Sequence, residues 1–188
     1  MEAEDFTVVT QSGERKTPAC ATLRPANEAS EGHTVLLIGD LGSVQNPPIR
    51  VEATGAVELE AGGTAQGLMV DVTPLEAGPT LVLAIAYDAG AIESDCPDET
   101  QQIVQVTWAG GVQPADGETP EAHRTMYRVT TADGEVSALA LGDLGDQDNY
   151  VHLCLGTDSW SESVIARAGV LVDPRGDLNP ETTVDVTR

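Results

Sequence analysis

Apolar and polar residues alternate with a period of two along much of the chain. The clearest alternation lies in five segments, which are residues 57–60, 104–108, 127–130, 151–155 and 183–187. Successive side chains of a strand point to opposite faces, so each segment has one apolar face for a core and one polar face for solvent. Strands with one wet face are typical of antiparallel sheets. The pattern therefore predicts an all-β, antiparallel fold.

Two further runs, residues 34–38 and 80–87, are apolar on both faces, and we interpret them as central strands. Turn-forming residues separate the runs, and the chain contains 19 Gly and 11 Pro. Asp133-Gly134 predicts a tight hairpin, because glycine supplies the positive φ that its turn needs. The one helix-like segment, residues 25–30, is interpreted as a turn. Roughly eleven to thirteen strand candidates predict a β-sandwich, Ig-like or jelly-roll-like with Greek-key connections, or a barrel.

The length of the chain fits one domain, and we expect residues 1–188 to form a single β-sandwich. An internal repeat supports an alternative. The tetrapeptide Gly-Asp-Leu-Gly occurs at residues 39–42 and again at 142–145, after an apolar run in each case. Residues 1–95 and 100–188 would then be two related halves that arose by duplication.

The charge of the chain excludes several classes of partner. Its 188 residues include 9 Lys and Arg against 31 Asp and Glu, which gives a formal net charge of −22. Such a surface repels the phosphate backbone of nucleic acids and anionic membranes, so neither is expected as a partner. The hydrophobic fraction of 40% is too high for a disordered acidic tail. The acidity fits either a high-GC genome or adaptation to salt, and both interpretations stay open.

The sequence gives indirect information on the compartment. No segment has the roughly 20 consecutive apolar residues of a membrane-spanning helix, so membrane insertion is not expected. The sequence begins Met-Glu-Ala-Glu-Asp, which lacks the basic and apolar regions of a signal peptide. We expect a periplasmic, cell-surface or secreted protein whose signal peptide has been removed, and a cytoplasmic protein is the alternative.

Three cysteines, Cys20, Cys96 and Cys154, allow three disulfide pairings. Cys96 lies in a polar, loop-like stretch, where a cysteine is better suited to a disulfide than to a buried structural thiol. We therefore expect one disulfide that includes Cys96, with one thiol left over. The alternative is three reduced thiols in a cytosolic protein.

Two acidic loops are candidate calcium sites. The first carries Asp143, Asp146, Asp148 and Asn149, the second carries Asp173, Asp177 and Asn179, and a third acidic cluster beside Cys96 contains Asp95, Asp98 and Glu99. Calcium binds six to eight oxygen ligands from carboxylates, amides and backbone carbonyls, which such loops supply. The alternative is a polar turn, in which Asp and Asn side chains accept hydrogen bonds from nearby backbone groups.

Other chemistry has less support. His152 and Cys154 share one face of a predicted strand and could bind zinc or copper with His33 or His123. No His or Met follows Cys154, although a blue-copper site needs them. The chain has no G-x-S-x-G nucleophile motif, and a Ser-His-Asp triad is recognised from geometry alone. No catalytic residue is therefore assigned.

These observations favour a non-enzymatic, extracytoplasmic or cell-surface β-sandwich of a bacterium, a binding or structural module with a protein or surface partner and stabilising calcium. The alternative is a small β-barrel or sandwich enzyme with an internal pocket that uses carboxylates, Tyr127, His123 or Arg128. A third hypothesis is an assembly subunit held by strand addition at a sheet edge.

Overall fold

The computed structural model describes residues 1–26, 28–74, 77–144 and 148–188. In these residues the secondary structure is almost entirely β, which confirms the predicted all-β, antiparallel-rich class. The strands are β1 (Phe6–Thr10), β2 (Arg15–Lys16), β3 (Cys20–Thr22), β4 (Leu36–Ile38), β5 (Pro48–Ala53), β6 (Met69–Asp71), β7 (Leu81–Asp88), β8 (Gln102–Trp108), β9 (Gln113–Pro114), β10 (Tyr127–Thr131), β11 (Gly134–Val136), β12 (Ala140–Gly142), β13 (Tyr150–Leu155), β14 (Ser161–Ala166), β15 (Leu171–Val172) and β16 (Thr182–Thr187). One α-helix, α1, spans Pro120–Thr125.

The chain divides into two compact units. The first comprises Met1–Arg24 and Gly32–Leu75, and the second comprises Pro25–Glu31 and Glu76–Arg188. The single β-sandwich domain and the two related halves both stay predictions.

The first unit contains a four-stranded sheet in the order β2-β1-β5-β6 and a separate hairpin of β3 and β4. The prediction that residues 34–38 form a central strand is wrong, because β4 pairs with β3 in a two-stranded sheet. Leu36 and Ile38 on this strand are 47% and 49% exposed. The alternation at residues 57–60 forms only an isolated bridge between Glu58 and Thr64.

The second unit is built on an eight-stranded sheet in the order β11-β10-β14-β16-β7-β8-β13-β12. Neighbouring strands are antiparallel except β16 and β7, which are parallel. The second apolar run, residues 80–87, is confirmed as a central strand because it forms β7, which lies between β16 and β8. The predicted hairpin is also confirmed, since Thr131 of β10 pairs with Gly134 of β11.

Strands β8 and β13 are buried along their whole lengths. One face of the pair carries Val104, Val106 and Trp108 into the apolar core, where Trp108 Nε1 donates a hydrogen bond to the Tyr127 hydroxyl at 3.1 Å. The opposite face carries Gln105 and His152, which are each only 1% exposed. The alternation predicted a solvated polar face here, and that expectation is wrong because other segments of the second unit cover it.

Two short helical segments complete the second unit. Residues 25–30 were expected to form a turn, and a single 3-10 turn covers Ala29–Glu31. The sequence pattern missed α1, although Thr119 and Pro120 form a typical helix start. Thr119 Oγ1 accepts a hydrogen bond from the Ala122 backbone N–H at 3.0 Å. Within the described part of the chain, no helix combines the length and the apolar character needed to cross a membrane.

Candidate metal centre

The polar face of β8 and β13 holds two loops in place. Residues at alternate positions of a strand share a face, so Tyr150, His152 and Cys154 project on the same side of β13. The Tyr150 hydroxyl donates to the Glu31 carbonyl oxygen at 2.5 Å. His152 Nδ1 lies 3.0 Å from Ser94 Oγ in the other loop. The face therefore brings residues 28–31 and 94–96 to one strand.

A disulfide fixes the second of these loops. Cys96 pairs with Cys154, and Cys20 is an exposed free thiol. This confirms the prediction that Cys96 takes part in one disulfide. The bond joins positions separated by 58 residues, so it ties the loop that precedes β8 directly to β13.

The first loop folds back on itself around Glu31. The Glu31 carboxylate accepts a hydrogen bond from the Glu28 backbone N–H at 3.1 Å, and the Glu31 N–H donates to the Glu28 carbonyl oxygen at 3.2 Å. The Ser30 hydroxyl accepts from Gln105 Nε2 at 3.2 Å. These contacts and the Tyr150 hydroxyl leave Glu31 only 1% exposed.

Asp148 completes a cluster of three carboxylates with Glu28 and Glu31. One oxygen atom from each lies within 4.8 Å of the others. Asp148 is held at the start of β13 because its Oδ1 accepts the Tyr150 backbone N–H at 2.8 Å. We call Glu28, Glu31 and Asp148 the carboxylate cluster. A spacing of this size is close enough for one metal ion to contact all three side chains.

The electrostatics of the carboxylate cluster favour either a bound proton or a bound cation. Burial raises the pKa of Glu31 to about 8, and the hydrogen bond with the Glu28 side chain and the charges of Asp148 and Asp143 act in the same direction. Three ionised carboxylates at this spacing in a buried site repel one another strongly. A divalent cation would remove that repulsion and replace the proton.

Asp143 adjoins the carboxylate cluster and is itself tied to the second loop. It follows β12 with a positive φ of 60°, and its backbone N–H donates to Asp95 Oδ1 at 2.8 Å. Its carboxylate Oδ2 lies 3.7 Å from His152 Nε2. Gly142 makes this approach possible, because a Cβ atom there would lie 2.5 Å from Asp95 Oδ1.

The donor atoms of the carboxylate cluster select for a hard metal ion. All three side chains offer oxygen, which suits Ca²⁺, Mg²⁺ or Mn²⁺. The Nε2 atom of the buried His152 lies 3.1 Å from Gln105 Nε2. The cluster can therefore hold a cation by charge and oxygen ligation, without the nitrogen or sulfur ligands of a typical zinc site.

The described members of the first predicted calcium loop do not share one site in the structure. Asp148 belongs to the carboxylate cluster, and Asp143 lies beside it. Asn149 has a structural contact, because its Nδ2 donates to the Trp108 carbonyl oxygen at 2.6 Å. Asp146 lies outside the described residues.

In the second predicted loop, the Asp and Asn side chains form hydrogen bonds with nearby backbone groups. Asp173 Oδ1 accepts the N–H groups of Arg175 and Asp177 at 2.8 and 3.0 Å. Asn179 Oδ1 accepts from Val170 and Leu171, and Asn179 Nδ2 donates to two carbonyl oxygens. Asp173 and Asp177 are not part of the carboxylate cluster, and an ion at this loop stays a prediction.

Sequence reasoning missed Glu28, which lies in the segment interpreted as a turn, and Glu31, which directly follows that segment. The contact between Tyr150 and Glu31 spans 119 residues, so no local pattern could indicate it. A Glu-x-x-Glu spacing alone is common in a chain with 31 acidic residues. Glu28 and Glu31 come close to Asp148 only through the fold of the second unit.

Comparison with protein-family models, with curated proteins and with solved structures found no match to this chain. What the carboxylate cluster can bind therefore follows from its own atoms, burial and charge.

Proposed function

We propose that this protein is a calcium-stabilised, extracytoplasmic β-sandwich module of a bacterium with a binding or structural role. The carboxylate cluster carries this proposal, because Glu28, Glu31 and Asp148 bring oxygen atoms within 4.8 Å of one another. Calcium suits such a site better than magnesium, since it tolerates irregular geometry and takes backbone carbonyls and water as further ligands. By binding Glu28, Glu31 and Asp148, the ion would link residues 28–31 to the start of β13.

The net charge of −22 supports the choice of a cation as ligand. A strongly negative surface raises the local concentration of divalent cations and speeds their association. The same charge destabilises the folded chain through self-repulsion, and an ion bound at the carboxylate cluster would offset part of this cost.

The disulfide supports a location outside the cytoplasm. Disulfides persist in oxidising compartments and are rare among reduced cytosolic proteins. The bond between Cys96 and Cys154 is compatible with the periplasm, the cell surface or secretion.

The direct test measures calcium binding and thermal unfolding of chelator-treated protein. Calcium at 100 times its Kd should stabilise the fold by about 2.7 kcal/mol. For a protein of this size, that free energy raises Tm by roughly 5–10 °C. The proposal is overturned if millimolar calcium produces neither binding heat nor a rise in Tm.

Variants locate the ion. Glu31→Gln and Asp148→Asn remove one charge each while keeping the shape of the side chain, and each should abolish the rise in Tm. Glu162→Gln on β14 removes one exposed charge and should behave like the unaltered protein. Asp177→Asn tests the second predicted loop, and loss of binding in this variant alone would place the ion there.

A second candidate function, acyl-transfer hydrolysis, has one observation in its favour. Ser94, His152 and Asp143 follow the order of a nucleophile, a base and an acid, with distances of 3.0 and 3.7 Å between successive partners. The surrounding charge opposes it, because Glu28 and Asp95 line the same pocket as Ser94. A developing oxyanion needs hydrogen-bond donors or positive charge in that position. Labelling of Ser94 by a fluorophosphonate, abolished in Ser94→Ala, would establish this alternative.

A further inference from the structure

The second unit contains a cavity of about 650 Å³. This volume lies within the range of small-molecule binding sites. Apolar side chains form much of its wall, and they include Val112, Pro114, Val151, Val172 and Pro174. An apolar wall with a few polar groups is the usual composition of a ligand pocket.

Two carboxylates, Asp143 and Asp148, set the charge of the cavity. The described lining contains no Lys or Arg. The side chain of Asp143 is only 11% exposed, so water screens its charge weakly. An anionic ligand would be repelled from this wall, whereas a cationic group would be attracted to it.

The imidazole of His123 does not offset the negative charge of these carboxylates. It lines the cavity and is 8% exposed. Burial lowers the pKa of His123, so its imidazole is neutral at pH 7. Among the described residues, its buried Nε2 has no hydrogen-bond partner. A buried polar atom without a partner is unfavourable, and a ligand that donates a hydrogen bond to this ring would remove the cost.

We infer that the cavity binds a small organic cation, a primary ammonium group attached to an apolar body. The apolar wall would pack against the body, and Asp143 and Asp148 would pair with the ammonium group. This inference goes beyond the proposed calcium site and does not require an ion there. Asp148 belongs to both, so calcium and the amine should weaken each other's binding.

Three probes of one shape separate charge from apolar packing. Phenethylamine, 2-phenylethanol and 3-phenylpropionate present a positive, neutral and negative group on similar bodies. Titration of chelator-treated protein, followed by calorimetry or NMR, should show that the amine binds about tenfold or more tightly than the alcohol. The carboxylate should not bind.

Two conservative variants place the ammonium group. Asp148→Asn keeps the oxygen that accepts the Tyr150 N–H, and Asp143→Asn suits the positive φ at that position. Each should weaken amine binding about tenfold and leave the alcohol unaffected. Glu162→Gln, which alters an exposed charge on β14, serves as the matched control.

Distinct results would overturn the inference. Equal affinity for amine and alcohol would show a purely apolar cavity. Amine binding that weakens equally in Asp143→Asn, Asp148→Asn and Glu162→Gln would show only general attraction to an acidic protein. A folded protein that binds none of the three probes would show that the cavity accepts no such ligand. Calcium added afterwards tests the ion site separately, because the amine titrations are done in chelator.

Discussion

Calcium binding at the carboxylate cluster should release nearly one proton at pH 7. Glu31 carries the proton in the ion-free protein, because burial and the neighbouring carboxylates raise its pKa to about 8. A metal ion needs the ionised carboxylate, so the ion must displace this proton when it binds. On the proposed function, the proton and the cation would therefore compete for one site.

The raised pKa sets the size of the effect. A group with a pKa of about 8 is about 90% protonated at pH 7, so about 0.9 protons leave for each ion bound. The apparent affinity should rise with pH, because fewer protons must be displaced. Between pH 6 and pH 8 the same pKa gives an increase of about 50-fold, equivalent to roughly 2.3 kcal/mol.

Calorimetry in buffers of different ionisation enthalpy measures this proton release directly. At pH 7 the observed binding heat should vary linearly with the ionisation enthalpy of the buffer, with a slope near one proton. Glu31→Gln cannot release the proton, so any residual binding in this variant should be independent of pH. Binding by the unaltered protein with zero proton release would refute the assignment of Glu31 as a ligand with a raised pKa.

Three further predictions test the surroundings of the site. Replacing Cys96 and Cys154 by Ser should lower the free energy of unfolding by about 2–5 kcal/mol in urea titrations and weaken calcium binding, because the loop at residues 94–96 loses its covalent anchor. Burial lowers the pKa of His123 in the folded state, so the unfolded chain binds more protons and the free energy of unfolding falls as pH drops below 6.5. His123→Phe should reduce the slope of the free energy of unfolding against pH between pH 7 and pH 5. Gly142→Ala should cost about 1–3 kcal/mol of stability, because the new Cβ would lie 2.5 Å from Asp95 Oδ1, and unchanged urea unfolding would contradict that packing.

The all-β class was predictable because alternation is a local property of the chain. Residues 104–108 and 151–155 form β8 and β13 as their pattern indicates. Asp133-Gly134 predicted its hairpin for the same reason, since the turn and its strands are adjacent in sequence. The prediction of a central strand at residues 34–38 was wrong, because hydrophobicity alone does not determine which strand it pairs with. In the structure this segment forms β4 and pairs with β3.

The candidate site was only partly predictable because its members meet through the fold. The sequence singled out Asp148 as a calcium ligand because closely spaced carboxylates need water or a cation. The structure places Asp148 in the carboxylate cluster, and its role as a metal ligand stays a prediction. Glu28 and Glu31 carry no such local signal, and they reach Asp148 because Tyr150 and Gln105 hold their loop on β13 and β8. The polar face of β8 and β13 was predicted to be solvated because alternation distinguishes polar from apolar faces. Alternation does not show which segments cover a polar face.

Burial distinguishes Glu31 from most other acidic residues in the described part of the chain. An acid on an exposed strand face, such as Glu162, is hydrated and needs no partner. Glu31 is 1% exposed, and its ionisation beside two other carboxylates carries a desolvation and repulsion cost that water cannot relieve. A ligand that needs negative charge, as proposed above, would offset this cost. A divalent cation meets this requirement, and under the proposed function the net charge of −22 would raise its local concentration.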